Sequence, residues 1–464
     1  MRNFIKNSKY KDLTKNTLLF TLSNFGTKII SFLLVPLYTY VLSTSDYGTA
    51  DLMTTTVSLL LPVFTFNIQD AVLRFCLDKE YYSEQVISVS VKTISINTCF
   101  LGILLYLLKF LGVLAIEDKY LAFLFISFAV AAFFNSIQMY LKATERVEVI
   151  VVSSLLTTLL NCILNMLLLL YLKIGVNGYL IAQAVSSLAG VVYCVLRTSI
   201  IHTLKIRFDF VLLKTMLLYS TPLIFNSLAW WLNNASDRYI LSYFCGAGSN
   251  GIYSVSYKIP TILSTLQGVF YNAWSVSAIK EFDSQDKDGF VGNIYHLYCG
   301  ISILGCSVIL LFNNVIAGIL YSNDFYKAWK YVPLLMIGTV FNGISLFEGC
   351  LYTAVKRTKS VSKTTMAGAL VNTCLNFLLI PVWGTMGAAF ATFVGYFVVW
   401  LVRTLDLRNI IMMKVKWSKQ IVSIILLILQ CFLASLGRYA FIQAAILIVL
   451  CQIQYSLIRK GNPQ

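Results

Sequence analysis

Runs of about twenty or more apolar residues, separated by short polar segments, recur along nearly the whole chain. Each run is long enough, at about 1.5 Å per residue in a helix, to cross the roughly 30 Å hydrocarbon core of a bilayer. Runs at 16–42, 50–73, 86–113, 119–141, 149–172, 177–201, 213–243, 251–278, 290–314, 330–354, 361–382, 385–405, 420–436 and 439–457 predict an all-α polytopic membrane protein of about 14 transmembrane helices. No connecting segment exceeds about 18 residues, so no soluble domain is expected.

The pattern also repeats at long range. NCILNMLL, from Asn161 to Leu168, returns as NTCLNFLL, from Asn372 to Leu379, and each leads through a short turn into a further span. SDYGTADL after the first span resembles SNGIYSVS after the seventh, with Gly48 matching Gly251 at an offset of 203 residues. These matches predict two homologous six-helix bundles, 1–205 and 206–410, with two additional helices in 411–464. An even number of helices in each copy relates the copies by an axis along the membrane normal, an arrangement in which sites lie between the halves near the midplane.

Composition agrees with lipid as the main solvent: 58% of residues are hydrophobic and the mean hydropathy is +0.77. The net charge of +16 is spread through short loops instead of gathered on one face, which argues against nucleic acid as a partner and for topology and anionic lipid. With the N-terminus placed in the cytoplasm, 26 of the 36 Lys and Arg fall on that side, six on the other, and Lys28, Lys92, Arg238 and Lys258 fall within spans. This asymmetry predicts cytoplasmic termini. The polar, basic start leads directly into a long apolar run, so the first helix is expected to stay in place and not be cleaved. Eleven cysteines without a C-x-x-C pair and two histidines, His202 and His296, predict neither disulfides, metal site nor cofactor. His296 reads better as a helix-packing residue than as a proton relay.

Against this background the polar residues inside spans stand out, because a charge at a helix centre costs at least ~2.5–3.5 kcal/mol on insertion scales. Asn226, Trp230, Asn233 and Asp237 fall on one stripe of the seventh span, with Asn234 and Arg238 a turn apart beside it. Lys28 lies deep in the first span between Asn24 and Ser31, where a water-lined cavity is the economical explanation and an anionic diphosphate the fitting ligand, with structural pairing as the competing role. Lys258 and Arg238 would extend positive charge along the same path, while Lys92 snorkels to the interface. Asp70 and Arg74, four apart, read as a helix-end ion pair or a gate. Glu348 is an isolated acid and a candidate for ion coupling, with a hydrogen-bonded packing role as the competing reading. Trp230, Trp231, Tyr257, Tyr271 and Trp274 offer stacking surfaces for sugars, with packing as the competing role. Asp286, Lys287 and Asp288 mimic a metal-binding D-x-D motif, but in a short loop they read as a solvated turn.

NFGTKIISFLLVPLYTYVLSTSDYG in the first span, DRYIL followed by GIYSVSYKI across the seventh and eighth, and the layout of six, six and two helices resemble the oligosaccharide-lipid flippases of bacterial polysaccharide export. These are the O-antigen and capsule repeat-unit exporters of the multidrug/oligosaccharidyl-lipid/polysaccharide superfamily. The resemblance implies two V-shaped bundles in the bacterial cytoplasmic membrane, a cavity lined by spans 1, 2, 7 and 8, and transport of an undecaprenyl-diphosphate-linked glycan by alternating access. Other polysaccharide assembly proteins are possible partners under the same resemblance. Three alternatives stay open: a flippase for a lipid-linked peptidoglycan precursor, a multidrug exporter of the same superfamily, and, from another class, a membrane polysaccharide polymerase. The polymerase would be expected to carry a large external loop; a drug exporter would favour an acid in the first-half cavity, where this chain has Lys28.

Overall fold

The computed structural model describes residues 25–459 apart from positions 79, 115, 199, 204, 281 and 356. Every regular element among them is helical. The longer helices are α1 Phe25–Val41, α2 Thr44–Phe64, α3 Ile68–Cys76, α4 Ser83–Phe110, α5 Asp118–Ala143, α6 Val147–Tyr171, α7 Val176–Arg197, α8 Phe210–Ser256, α9 Pro260–Lys280, α10 Phe290–Leu311, α11 Val332–Ala354, α12 Thr358–Trp383, α13 Thr385–Leu407, α14 Trp417–Ser435 and α15 Ala440–Arg459. Among the described residues eleven helices are long and apolar enough to cross a membrane, or twelve if α2 and α3 form one bent span. The other two expected spans fall short for different reasons. The described part of α1 is a shorter apolar helix, and α9 carries Ser264, Thr265, Gln267, Asn272 and Ser277 among its apolar residues.

One expected span differs because backbone conformation overrides the apolar pattern. The run 50–73 is not one straight helix: Phe66 and Asn67 both adopt left-handed φ, of 53° and 52°, and the axis turns by 58° between α2 and α3. Polar side chains serve the break. Thr65 Oγ1 donates to Leu61 O at 2.7 Å, Gln69 Nε2 to Asn67 Oδ1 at 3.1 Å, and Asn67 Nδ2 to Ser227 Oγ at 2.9 Å. Between the expected seventh and eighth spans the chain passes from one helix to a second through a residue of non-helical φ and ψ, where the sequence places a boundary. That residue is Gly246, whose φ of 82° is open to glycine at little cost, and the second helix continues to Ser256.

The chain divides into two compact units, residues up to Leu42 with Thr49–Trp231, and Ser43–Gly48 with Leu232 onward. In the first, Ile68, Val72 and Phe75 of α3 pack with Val86, Ile87 and Ile94 of α4 and with Leu124, Phe128 and Ile137 of α5. In lipid such helices are held by close packing and interhelical hydrogen bonds, since their surroundings are already apolar. Ser90 and Ser136 join α4 to α5 at 2.8 Å, and Asn161 Nδ2 donates to Ser186 Oγ at 3.3 Å between α6 and α7. Lys92, expected at the interface, donates to the carbonyl of Ile206.

In the second unit Ser43–Gly48 packs on the end of α8 without intervening side chains. A Cβ on Gly48 would lie 1.8 Å from Ala247 O, and one on Gly251 would lie 2.0 Å from Thr44 O. Asn250 Nδ2 donates to Gly48 O at 2.9 Å.

The segment Asp286–Asp288 has a structural role in the same unit. Asp286 is 2% exposed, and its carboxylate accepts the backbone N–H groups of Val291 and Gly292 at 3.0 Å each and of Lys414 at 3.1 Å. It therefore seats the start of α10 against the segment before α14. Asp283 accepts the N–H groups of Lys287 and Gln285, which hold its carboxyl below the ordinary value. Asp286→Ala removes the acceptor of two buried donors and one part-buried donor, and a loss of about 2 kcal/mol or more is expected. The measurement is thermal unfolding in detergent, and an unchanged midpoint would rule out the clamp.

Candidate functional site

The strongest polar cluster inside a spanning helix of the second unit is centred on Asp237. Its carboxylate is 2% exposed, far from the surface that a charged residue normally seeks. Oδ2 accepts from Tyr253 Oη at 2.5 Å and from Thr392 Oγ1 at 3.4 Å. Tyr253 Oη also lies 3.1 Å from Tyr257 Oη and 3.0 Å from Thr392 Oγ1. Beyond Thr392, Asn372 Nδ2 donates to that hydroxyl at 3.4 Å, and Asn376 Nδ2 donates to Asn372 Oδ1 at 3.0 Å. Asn376 Oδ1 is buried and has no hydrogen-bond partner among the described residues. The Arg238 guanidinium stands over the Tyr257 ring at 5.9 Å, and Tyr396 Oη donates to Asn234 Oδ1 at 3.0 Å.

Three separated stretches meet here. Asp237 and Tyr253 come from the two sides of the bend at Gly246 in α8, Asn372 and Asn376 from consecutive turns of α12, and Thr392 from α13. One carboxylate surrounded by hydroxyl and amide oxygens is a set suited to a proton or a hard alkali cation. The Asn pair has a counterpart in the first unit: Asn165 Nδ2 donates to Asn161 Oδ1 at 3.0 Å, and Asn161 reaches Ser186 as Asn372 reaches Thr392.

The other sequence-predicted residues are dispersed. Asn24 lies outside the described residues. Lys28 on α1 is exposed, with Ser31 Oγ bonded back to Thr27 O at 2.8 Å. Asn226 is exposed and Asn233 is buried. Lys258 is half-buried in the turn between α8 and α9. Arg74 pairs with Asp78 at 3.5 Å, so the ion pair at this helix end is one turn later than Asp70 and Arg74 would give. Trp231 Nε1 donates to Thr55 O, and Trp274 stacks on Phe347 with centroids 4.3 Å apart, which makes both packing residues here. His296 Nε2 accepts the Lys416 backbone N–H at 3.2 Å.

Glu348 belongs to a second buried network. It is 0% exposed, and its Oε1 accepts from Thr404 Oγ1 at 2.6 Å. Beside it, Arg403 is 4% exposed and donates to Ser345 O, to Thr364 Oγ1 at 3.0 Å and to Thr365 Oγ1 at 2.9 Å, so it is a core residue and not the loop cation that its place near a span end indicates. Tyr253, Asn372, Asn376, Thr392 and Arg403 were not singled out from sequence. For the asparagines a signal existed, since they carry the internal repeat.

Residues 13–276 match the model of a family described as polysaccharide biosynthesis protein. The chain is 27% identical over 175 residues to an uncharacterized membrane protein, MJ1068, of Methanocaldococcus jannaschii; the match covers 36% of this chain and spans about a third of that relative's length, 33%. Among solved structures, a lipid II flippase MurJ in an inward closed conformation superposes with a TM-score of 0.72 at 15% identity, over 96% of this chain and 99% of that one. An inward-facing MATE family multidrug resistance transporter superposes with a TM-score of 0.60 at 14% identity, over 82% and 97%. These likenesses establish a shared fold.

Proposed function

The chain belongs to the polysaccharide biosynthesis protein family, and from that premise we propose that it is a flippase, not an enzyme, which carries an undecaprenyl-diphosphate-linked oligosaccharide across the bacterial cytoplasmic membrane by alternating access. The observation that carries the reading is the buried cluster around Asp237, a carboxylate held within a spanning bundle where a charge is costly. Uptake of a proton or alkali cation by that carboxylate removes a buried charge, and this difference couples the ion to the conformational cycle. The matching Asn pairs of α6 and α12 support two homologous halves, 1–205 and 206–410, with α14 and α15 appended. Lys28, Arg238 and Lys258 supply cations for the diphosphate.

Asp237→Asn keeps the acceptor for Tyr253 and removes the charge. Export is expected to fall by roughly tenfold or more at matched membrane levels, and wild-type export by this variant would refute the coupling role. The substrate is tested in proteoliposomes. Accelerated translocation of undecaprenyl-diphosphate-linked oligosaccharide supports the reading. Transport of a cationic drug or of the lipid-linked peptidoglycan precursor, without the oligosaccharide, overturns it in favour of the corresponding relative.

A further inference from the structure

The turn between α14 and α15 borders a cavity of about 260 Å³ that plays no part in the transport reading. Its walls include Leu310, Leu311, Asn314, Ala434, Arg438 and Gln443. The turn is tight because Gly437 and Tyr439 both take left-handed φ, of 66° and 63°. It is fixed from one side by Trp329, whose ring would meet a Cβ on Gly437 at 2.7 Å and whose carbonyl accepts from Asn313 Nδ2 at 3.0 Å.

Within the cavity the polar groups are uneven. Gln443 is 5% exposed, and its Nε2 donates to Arg438 O at 3.1 Å, which fixes the amide. Its Oε1 is buried and has no partner among the described residues. Arg438 has no carboxylate within ion-pair distance among the described residues, and the Asn314 amide reaches the same space beside Gly437. The site therefore offers a guanidinium to an anion and one buried acceptor to a hydroxyl donor. Exposed Phe312, Val315 and Phe441 lie near it in the chain on the helices that form it.

A turn joining two membrane-spanning helices lies at the level of lipid headgroups, where phosphodiesters are the abundant anions. We propose that this cavity binds the headgroup of a phosphatidylglycerol, with Arg438 and Asn314 on the phosphate and Gln443 Oε1 accepting from a glycerol hydroxyl. Arginine suits such a contact because its planar fork matches two phosphate oxygens.

The test is native mass spectrometry of the full chain delipidated and re-exposed to phosphatidylglycerol, phosphatidylcholine or soluble glycerol phosphate. Phosphatidylglycerol is expected to be retained about tenfold more than phosphatidylcholine, and Arg438→Gln is expected to remove that preference while Arg438→Lys keeps part of it. Gln443→Leu should weaken phosphatidylglycerol and leave phosphatidylcholine unchanged. Equal retention of the two lipids, or an unaltered preference in Arg438→Gln, overturns the proposal. Binding of glycerol phosphate as tight as that of the lipid overturns the lipid assignment in favour of a soluble phosphate.

Discussion

Gly48→Ala and Gly251→Ala are each expected to reduce polysaccharide export by roughly tenfold or more while the protein still reaches the membrane. At both positions the obstacle is backbone, not a side chain that can rotate away: a Cβ would stand 1.8 Å from Ala247 O in one case and 2.0 Å from Thr44 O in the other. The start of α2 and the end of α8 cannot then meet as they do. Gly268→Ala is the control, because a Cβ there meets nothing within 4 Å. The same contact shows where a covalent lock belongs. Cysteines at Gly48 and Gly251 would themselves break that packing. Thr44→Cys with Gly248→Cys places the two Cβ atoms about 4.0 Å apart, within the disulfide range. Oxidation of that pair is expected to stop export and reduction to restore it, as measured by complementation of a strain lacking the transporter. Full export with the crosslink verified would count against a cycle in which this contact opens.

Lys28→Glu is expected to be the most damaging single charge change. Lys28 is an exposed cation on an apolar helix, a position that favours an anionic ligand. In the proposed cycle that anion is the diphosphate of the substrate. Removing one charge-assisted contact, as in Lys28→Ala, lowers export by about ten- to a hundredfold, and Lys28→Arg retains part of it. Reversal to Glu adds repulsion and falls below alanine. The readout is export at matched membrane protein levels. Wild-type export by both Lys28→Ala and Lys28→Glu would exclude Lys28 as a substrate contact.

The helical, membrane-spanning character of the chain was legible because apolar run length is a one-dimensional property. Runs at 86–113 and 119–141 reappear as Ser83–Phe110 and Asp118–Ala143. The break between α2 and α3 was not legible. Phe66 and Asn67 take a conformation that hydropathy does not register. The same division holds at the site. Asp237 and Arg238 stood out as charges in an apolar run, whereas Asn372 and Asn376 lay within the repeat without being singled out as site residues. Their meeting through Thr392 joins α8, α12 and α13, which no spacing along the chain encodes. Arg403 was hidden by its position near a span end, where a cation ordinarily faces water. Asp286 was misleading in the opposite sense, since a loop carboxylate between charged neighbours turns out to be 2% exposed.

The Asp286 clamp also fixes an order of assembly during synthesis. Two of its donors lie 5 and 6 residues away and arrive with the first turn of α10, whereas the third, on Lys414, lies 128 residues downstream. At a ribosomal rate of about 5–20 residues per second, that interval takes roughly 6–26 s to make. Until it has been made, the carboxylate lacks one donor and the bond from Met412 N to Ser284 O does not exist. The seat of this loop against the segment before the last two helices thus forms only after Lys414 has been made. A product truncated before Lys414 carries the mark of its own incompleteness far upstream of the missing codons.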